Sequence, residues 1–326
     1  MSAKPSLKEL GYRFNQKGEF RTINDNAPFV FTNQADYERI GDAMTMELYG
    51  MLGSVCGLRR IEVPVKVEDK NGGVVDFPGF VFASPEFQEK STVLLIIHGS
   101  GAVRPGQWSR RLILNENLEV GSQIPYIRRA LVNDWGVVVC STNTDKEFRD
   151  YARHHLCAVY EQLLKDSTIQ RFFVVAHSRG GPDIAQSLPH FKNENRFELV
   201  CLTDSIGLDD SYLSTEGRNN GGTVFINWKA DSKLQSAAIA VEDILEVYSR
   251  VHQVYAGTTE HERSSHTAFD SVFHVLERWK GPDSLPKLLV EAAGLTSSYI
   301  VSIIQLNDEH YSRRRAISLS ITSYVH

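Results

Sequence analysis

RFFVVAHSRGG (171–181) runs from an apolar, aromatic and β-branched stretch directly into a serine set between small residues. An apolar run without polar alternation fits a strand covered on both faces. Ser178 then stands where strand turns into helix. So sharp a turn strains the backbone at its centre, and the residues two positions to either side must be small to avoid the adjacent backbone. Ala176 and Gly180 meet that demand. The pattern approximates G-x-S-x-G, the nucleophile elbow, with Ala176 in place of the first glycine. The competing reading makes Ser178 a helix N-cap; the strand before it favours the elbow.

Working outward, TVLLIIHGSG (92–101) is a second continuous apolar run and ends in glycines. Two earlier strands are predicted at IEVPVKV (61–67) and PGFVFAS (78–84), and later ones at GVVVCST (136–142), FELVCLTDS (197–205), TVFINW (223–228) and RVHQVYAG (250–257). Helices are predicted near 121–134 and 146–166, between the last two strands, and at 263–280. Strands alternating with helices predict an α/β-hydrolase-like fold, a mostly parallel central sheet with helices on both faces. Residues 1–50 read as an N-terminal segment. It holds a short hairpin turning at Lys17-Gly18 and a helix from about Asp36 to Leu52, in which Tyr37, Ile40, Met44, Leu48 and Leu52 recur at helical spacing. The main domain is expected over 51–282. Periodicity weakens after Pro282, so 283–326 is expected to be a loosely attached extension.

Candidate chemistry gathers at the strand ends. Ser178 is the candidate nucleophile and His261, in GTTEHE after the last strand, the candidate base. His98 and His177 are rivals by proximity, but neighbours of an elbow serine point away from its hydroxyl. The acid stays open between Asp204, in LTDS, and Asp231, in NWKADS; either can hold a histidine tautomer. Gly99 and Ser100 lie in a loop of the kind that offers a backbone N–H to an oxyanion, with Arg179 supplying the other. Arg104, Trp108, Arg110 and Arg111 follow that loop. They read either as pocket walls or as a surface loop packed by its tryptophan, with the second preferred. Paired arginines elsewhere read as solvated surface.

Over 326 residues, 42% hydrophobic and 23% charged content describe a globular chain, and the net charge of −5 gives no reason to expect direct nucleic-acid binding. Cys56, Cys140, Cys157 and Cys201 form no CxxC, and three of them lie in apolar stretches; they read as reduced structural thiols of an intracellular protein. No run has signal-peptide or membrane-spanning length, so a soluble chain with no membrane association is expected. No His/Cys/Asp/Glu set has zinc or calcium spacing, and no G-x-G-x-x-G is present; no metal or cofactor is expected.

Several blocks together resemble a known family. GYRFNQKGEFR, PFVF, IIHGSGAVRPGQWSRRLILNENLEVGSQIPYIRRA, FFVVAHSRGG, LTDS and GTTEHE look like the argonaute-binding Arb-two domain family, which includes the animal cotranscriptional regulators. The resemblance covers roughly 10–280. It implies an α/β-hydrolase-like fold and a role in small-RNA-guided heterochromatin assembly, gene silencing or splicing coupled to chromatin. Argonaute proteins or chromatin regulators are the implied partners, and the nucleus or cytoplasm the implied location. Ser178, His261 and Asp204 fall in its elbow, GT-x-x-HE and TDS motifs, which favours Asp204 over Asp231. Arg179-Gly-Gly-Pro182 departs from it, with a bulky cation after the serine and a proline in the first helical turn. The charged insert found in some animal relatives after the fourth strand is missing.

Overall fold

A computed structural model describes residues 4–69, 72–146, 148–191, 194–208, 222–235 and 251–296. Strands β1 (Tyr12–Phe14) and β2 (Phe20–Thr22) make the N-terminal hairpin. Helix α1 (Gln34–Ser54) follows. Asn33 caps it by accepting the Asp36 N–H at 2.9 Å, and Ile40, Met44, Leu48 and Leu52 form its buried stripe.

Eight strands build one sheet: β3 (Arg59–Glu68), β4 (Val74–Ala83), β5 (Thr92–Ile97), β6 (Gly136–Cys140), β7 (Arg171–His177), β8 (Phe197–Thr203), β9 (Val224–Lys229) and β10 (Val251–Tyr255). Their spatial order is β3-β4-β6-β5-β7-β8-β9-β10. β4 runs antiparallel to both its neighbours, and every other pairing is parallel. Parallel strands need crossovers, which helices supply: α2 (Arg110–Asn115) and α3 (Ile124–Val132) after β5, α4 (Tyr151–Val159) after β6, and α5 (Gly180–Ser187) after β7.

The central strands show why helices cover both faces. On β5, Leu94 and Ile96 pack into one cluster with α1, α3 and the C-terminal helices, while Val93, Leu95 and Ile97 pack into the other with α4 and α5. β7 divides in the same way, Phe173 and Val175 against Phe172 and Val174. With side chains alternating across the sheet, both sets must be apolar. The mostly parallel α/β-hydrolase-like sheet is therefore as expected.

Several expectations need correction. The division at 50/51 falls inside α1, whose stripe enters the same core as β5 and β7, so the N-terminal segment is part of one body with the sheet. The helix expected at 121–134 begins at Ile124, after a separate short turn, Leu118–Gly121. The helix expected at 146–166 starts at Tyr151 and ends in a wider turn, Tyr160–Leu164. The extension expected to hang loosely from 283 opens with α7 (Leu285–Thr296), which packs on α6 (Phe269–Arg278). Leu285, Leu288, Leu289, Ala292 and Ala293 of α7 join the main core. The helix expected between β9 and β10 and the tail beyond 296 lie, apart from the turn Ser232–Gln235, outside the described residues. Among the described residues no helix is long and apolar enough to cross a membrane. The four cysteines are free thiols; Cys56, Cys140 and Cys201 are buried and Cys157 is half-buried.

Candidate active site

β7 ends at His177 and α5 begins at Gly180, which leaves Ser178 on the turn at φ +52°, the left-handed region that side chains rarely adopt. Neighbouring strands hold it there. Its N–H donates to Thr203 O at 3.1 Å, and its carbonyl accepts the Ser205 hydroxyl at 2.8 Å. The flanking glycines are required by space. A Cβ on Gly180 would stand 2.8 Å from His98 O, and one on Gly181 would stand 2.0 Å from Ser205 Oγ. Ala176 is fully buried, so the departure from glycine there is accommodated.

Asp204 follows β8, the strand beside β7, and is also left-handed at φ +47°. Its N–H donates to Trp228 O at 2.7 Å. One carboxylate oxygen accepts the Ala230 N–H and the Lys229 ammonium, each at 3.1 Å. The other lies 2.6 Å from His261 Nδ1. Burial alone would raise this carboxyl, but the hydrogen bonds from His261, Ala230 and Lys229 outweigh it and hold the group well below the usual carboxylate range. Asp204 is thus an ionised acceptor, which makes His261 Nδ1 the protonated nitrogen and Nε2 the acceptor. His261 Nε2 lies 3.0 Å from Ser178 Oγ. Ser178, His261 and Asp204 are brought together in hydrogen-bond order. Asp231 is not among them; its carboxylate accepts the Lys233 N–H at 2.9 Å in an exposed turn.

The rival histidines are turned elsewhere. His177 Nδ1 lies 2.8 Å from Thr203 O, and burial, followed by the neighbouring His261, pushes its pKa down to about 4. Its ring packs 4.8 Å from that of His261 and forms an uncharged wall behind it. His98 is wholly buried, also pushed down to about 4 by burial, with Nδ1 2.8 Å from Gly99 O.

Gly99 lies directly over the serine, since a Cβ built there would be 3.1 Å from Ser178 Cβ. Arg179 turns its guanidinium along α5 onto Asp183 at 3.1 Å. Burial pushes Asp183 up to about 6 against the pull of Arg179.

The segment after the glycine loop is not a surface loop. Trp108 is 2% exposed and Arg110 7%, and α2 carries both arginines of the pair. Arg110 lies over Gly41 of α1, where a Cβ would come within 2.6 Å of its guanidinium, and donates to Ala102 O at 3.0 Å. Arg111 points the other way and bonds Glu262 at 2.5 Å, which Ser109 also reaches at 3.1 Å. Arg263 bonds Glu116 at 2.9 Å. Glu262 and Arg263, the two residues after His261, are therefore tied to α2 and its flanks. Sequence reasoning missed Lys229, Glu262 and this buckle. The pairing of β8 with β9, invisible in the chain order, is what sets Lys229 beside Asp204.

A strand order of this kind, with a serine turn after β7, an acid after β8 and a histidine past β10, defines an α/β-hydrolase-like fold. An Arb2 domain matches residues 3–146. A FAM172 family protein homolog of Caenorhabditis elegans is 40% identical over 299 residues, covering 89% of this chain and 92% of the relative. The cotranscriptional regulator ARB2A of Homo sapiens is 26% identical over 343 residues, covering 82% and 79%. The chain belongs to the FAM172 family and matches the Arb2 domain over 3–146, and several of its relatives are named cotranscriptional regulators. Among solved structures, the histone deacetylase Clr3 is 16% identical with a TM-score of 0.46, covering 77% of this chain and 41% of that one. A Pyrococcus furiosus esterase is 13% identical with a TM-score of 0.42, covering 70% and 94%. Both scores are low, and the fold rests on the strand order.

Proposed function

We propose that this FAM172 protein is a serine hydrolase of acyl groups, acting on an ester, a thioester or an acylated amine. The observation that carries the reading is the unbroken chain Ser178 Oγ, His261 and Asp204, at 3.0 and 2.6 Å. Ser178 Oγ attacks the acyl carbon while its proton passes to His261 Nε2. Asp204 holds the opposite ring nitrogen protonated and stabilises the imidazolium that forms. Backbone N–H groups at Ser100 and Arg179 receive the developing oxyanion. His261 returns the proton to the leaving group, and water, activated by the same nitrogen, then releases the acyl group from Ser178.

The test is covalent labelling of the purified full chain with a fluorophosphonate, beside Ser178→Ala and His261→Ala. Labelling of the wild type is expected, abolished in the first variant and slowed at least about 1,000-fold in the second. A wild type that stays unlabelled sinks the enzymatic reading.

Family membership supports a second, compatible reading. The hydrolase-like body serves as an argonaute- or chromatin-associated regulator of small-RNA-guided silencing or co-transcriptional splicing, in the nucleus. It calls for co-purification of an argonaute protein with the tagged chain from cells. Failure with every argonaute of the organism removes that partner class.

A further inference from the structure

Hydrogen bonding around the loop 98–104 is one-sided. Asn143, which follows β6, aims its amide nitrogen at three carbonyl oxygens of this loop: Gly99 at 2.9 Å, Gly101 at 3.2 Å and Val103 at 3.1 Å. Arg104 adds a guanidinium nitrogen to Gly101 O at 3.1 Å and Val103 O at 2.9 Å, and Arg110 takes Ala102 O. The carbonyls of Gly99, Gly101, Ala102 and Val103 are thereby engaged by side chains, with Ser100 O the one passed over.

A peptide unit is planar and trans, so its N–H points opposite to its C=O. Holding the Gly99 carbonyl therefore fixes the Ser100 N–H on the other side of the same plane. Gly99 is also the residue pressed against Ser178 Cβ. Among the described residues, neither the Ser100 nor the Arg179 N–H is donated to a backbone carbonyl. We propose that Asn143 is a positioning residue that holds the Ser100 N–H as an oxyanion donor over Ser178. The inference rests on reading Ser178 as a nucleophile and deepens it.

The residue type suits the task. A planar primary amide offers two N–H bonds from one nitrogen and carries no charge, so it can serve several carbonyls without competing for the anion on the far side. The sheet order brings it there, because β5, which launches the glycine loop, lies beside β6, which launches Asn143. An aspartate at 143 keeps the shape but turns an acceptor toward three carbonyl oxygens, and so should release the loop.

The experiment compares wild type, Asn143→Asp and Asn143→Ala in fluorophosphonate labelling, following both the second-order rate constant and the final fraction of chains labelled across pH. In both variants the rate constant is expected to fall about 100-fold, the size of effect seen when one oxyanion donor is lost. The final fraction and the pH of half-maximal rate should stay where they are, because His261 and Asp204 are untouched. Asn143→Ser, which retains one donor, should recover part of the rate and guards against a variant that fails to fold. Rates within about 3-fold of wild type overturn the inference, as does a smaller labelled fraction reacting at the wild-type rate, which would make Asn143 a folding residue only. A wild-type chain that is never labelled is the separate failure of the nucleophile reading, and takes the inference with it.

Discussion

Ser178 and His261 meet at 3.0 Å, yet different forces bring them there. The serine is held by sterics and backbone hydrogen bonds at the ends of buried strands, in a turn whose glycines touch neighbouring residues. The histidine stands on a loop past β10 and is steadied from outside by charge. Arg111 reaches Glu262 and Arg263 reaches Glu116, with Arg111 and Glu262 50% and 39% exposed. Close packing resists salt but not volume change; exposed ion pairs do the reverse. One half of the site should therefore respond to pH and bulk, and the other to ionic strength.

The largest expected effect is on stability in mild acid. Burial depresses His98 and His177 to about 4 and His155 to about 3. The unfolded chain takes up these protons below about pH 6.5, whereas the folded chain does not until its own values are reached. Stability is therefore lost as pH falls through that window, by about 1.4 kcal/mol per pH unit for each histidine. Asp183, raised by burial to about 6, acts in the opposite sense over part of the range. Urea midpoints at pH 7, 6 and 5 should fall steeply, and a flat profile would contradict the burial of these rings. Next comes Gly181→Val, expected to cost about 3 kcal/mol because the new Cβ meets Ser205 Oγ, itself bonded to the Ser178 carbonyl. Thermal unfolding reads it, and an unchanged midpoint would mean that the elbow yields freely. Smallest is Arg111→Ala. It should change stability by less than about 1 kcal/mol, yet slow fluorophosphonate labelling and weaken its salt dependence, since the Arg263–Glu116 pair remains. Wild-type labelling that ignores added salt would show that the ion pairs do not steady His261.

The serine half was the legible half. Steric demands on Ala176, Ser178 and Gly180 are local, and an apolar run before them marks the strand whatever the rest of the chain does. His261 and Asp204 were within reach because each follows a strand the pattern predicts; Asp204, at the end of the strand after the elbow helix, was already preferred to Asp231, and the family motif added to that preference. What stayed hidden depends on neighbours far along the chain. Arg110 reads as solvated because paired arginines usually are, and only Gly41, 69 residues earlier, makes a slot for it. Asn143 and Lys229 are ordinary loop and strand-end residues until the sheet order sets β6 beside β5 and β9 beside β8. The helix Leu285–Thr296 was obscured by the Gly-Pro that precedes it, which reads as an ending but here only turns the chain back onto the core.

The strand order also cuts the sheet into two contiguous halves. β3 to β6 occupy one side of it and β7 to β10 the other, and they meet along a single seam between β5 and β7. The Arb2 match ends at 146, after β6 and before β7. A polypeptide stopped there would keep the glycine loop and lose Ser178, Asp204 and His261. It would also leave β5, whose six residues are all buried in the whole chain, as a bare sheet margin with the backbone groups that face β7 unpaired. Such a margin invites a second copy to dock where β7 belongs, so shortened forms of this protein should be handled as self-associating species rather than as small independent domains.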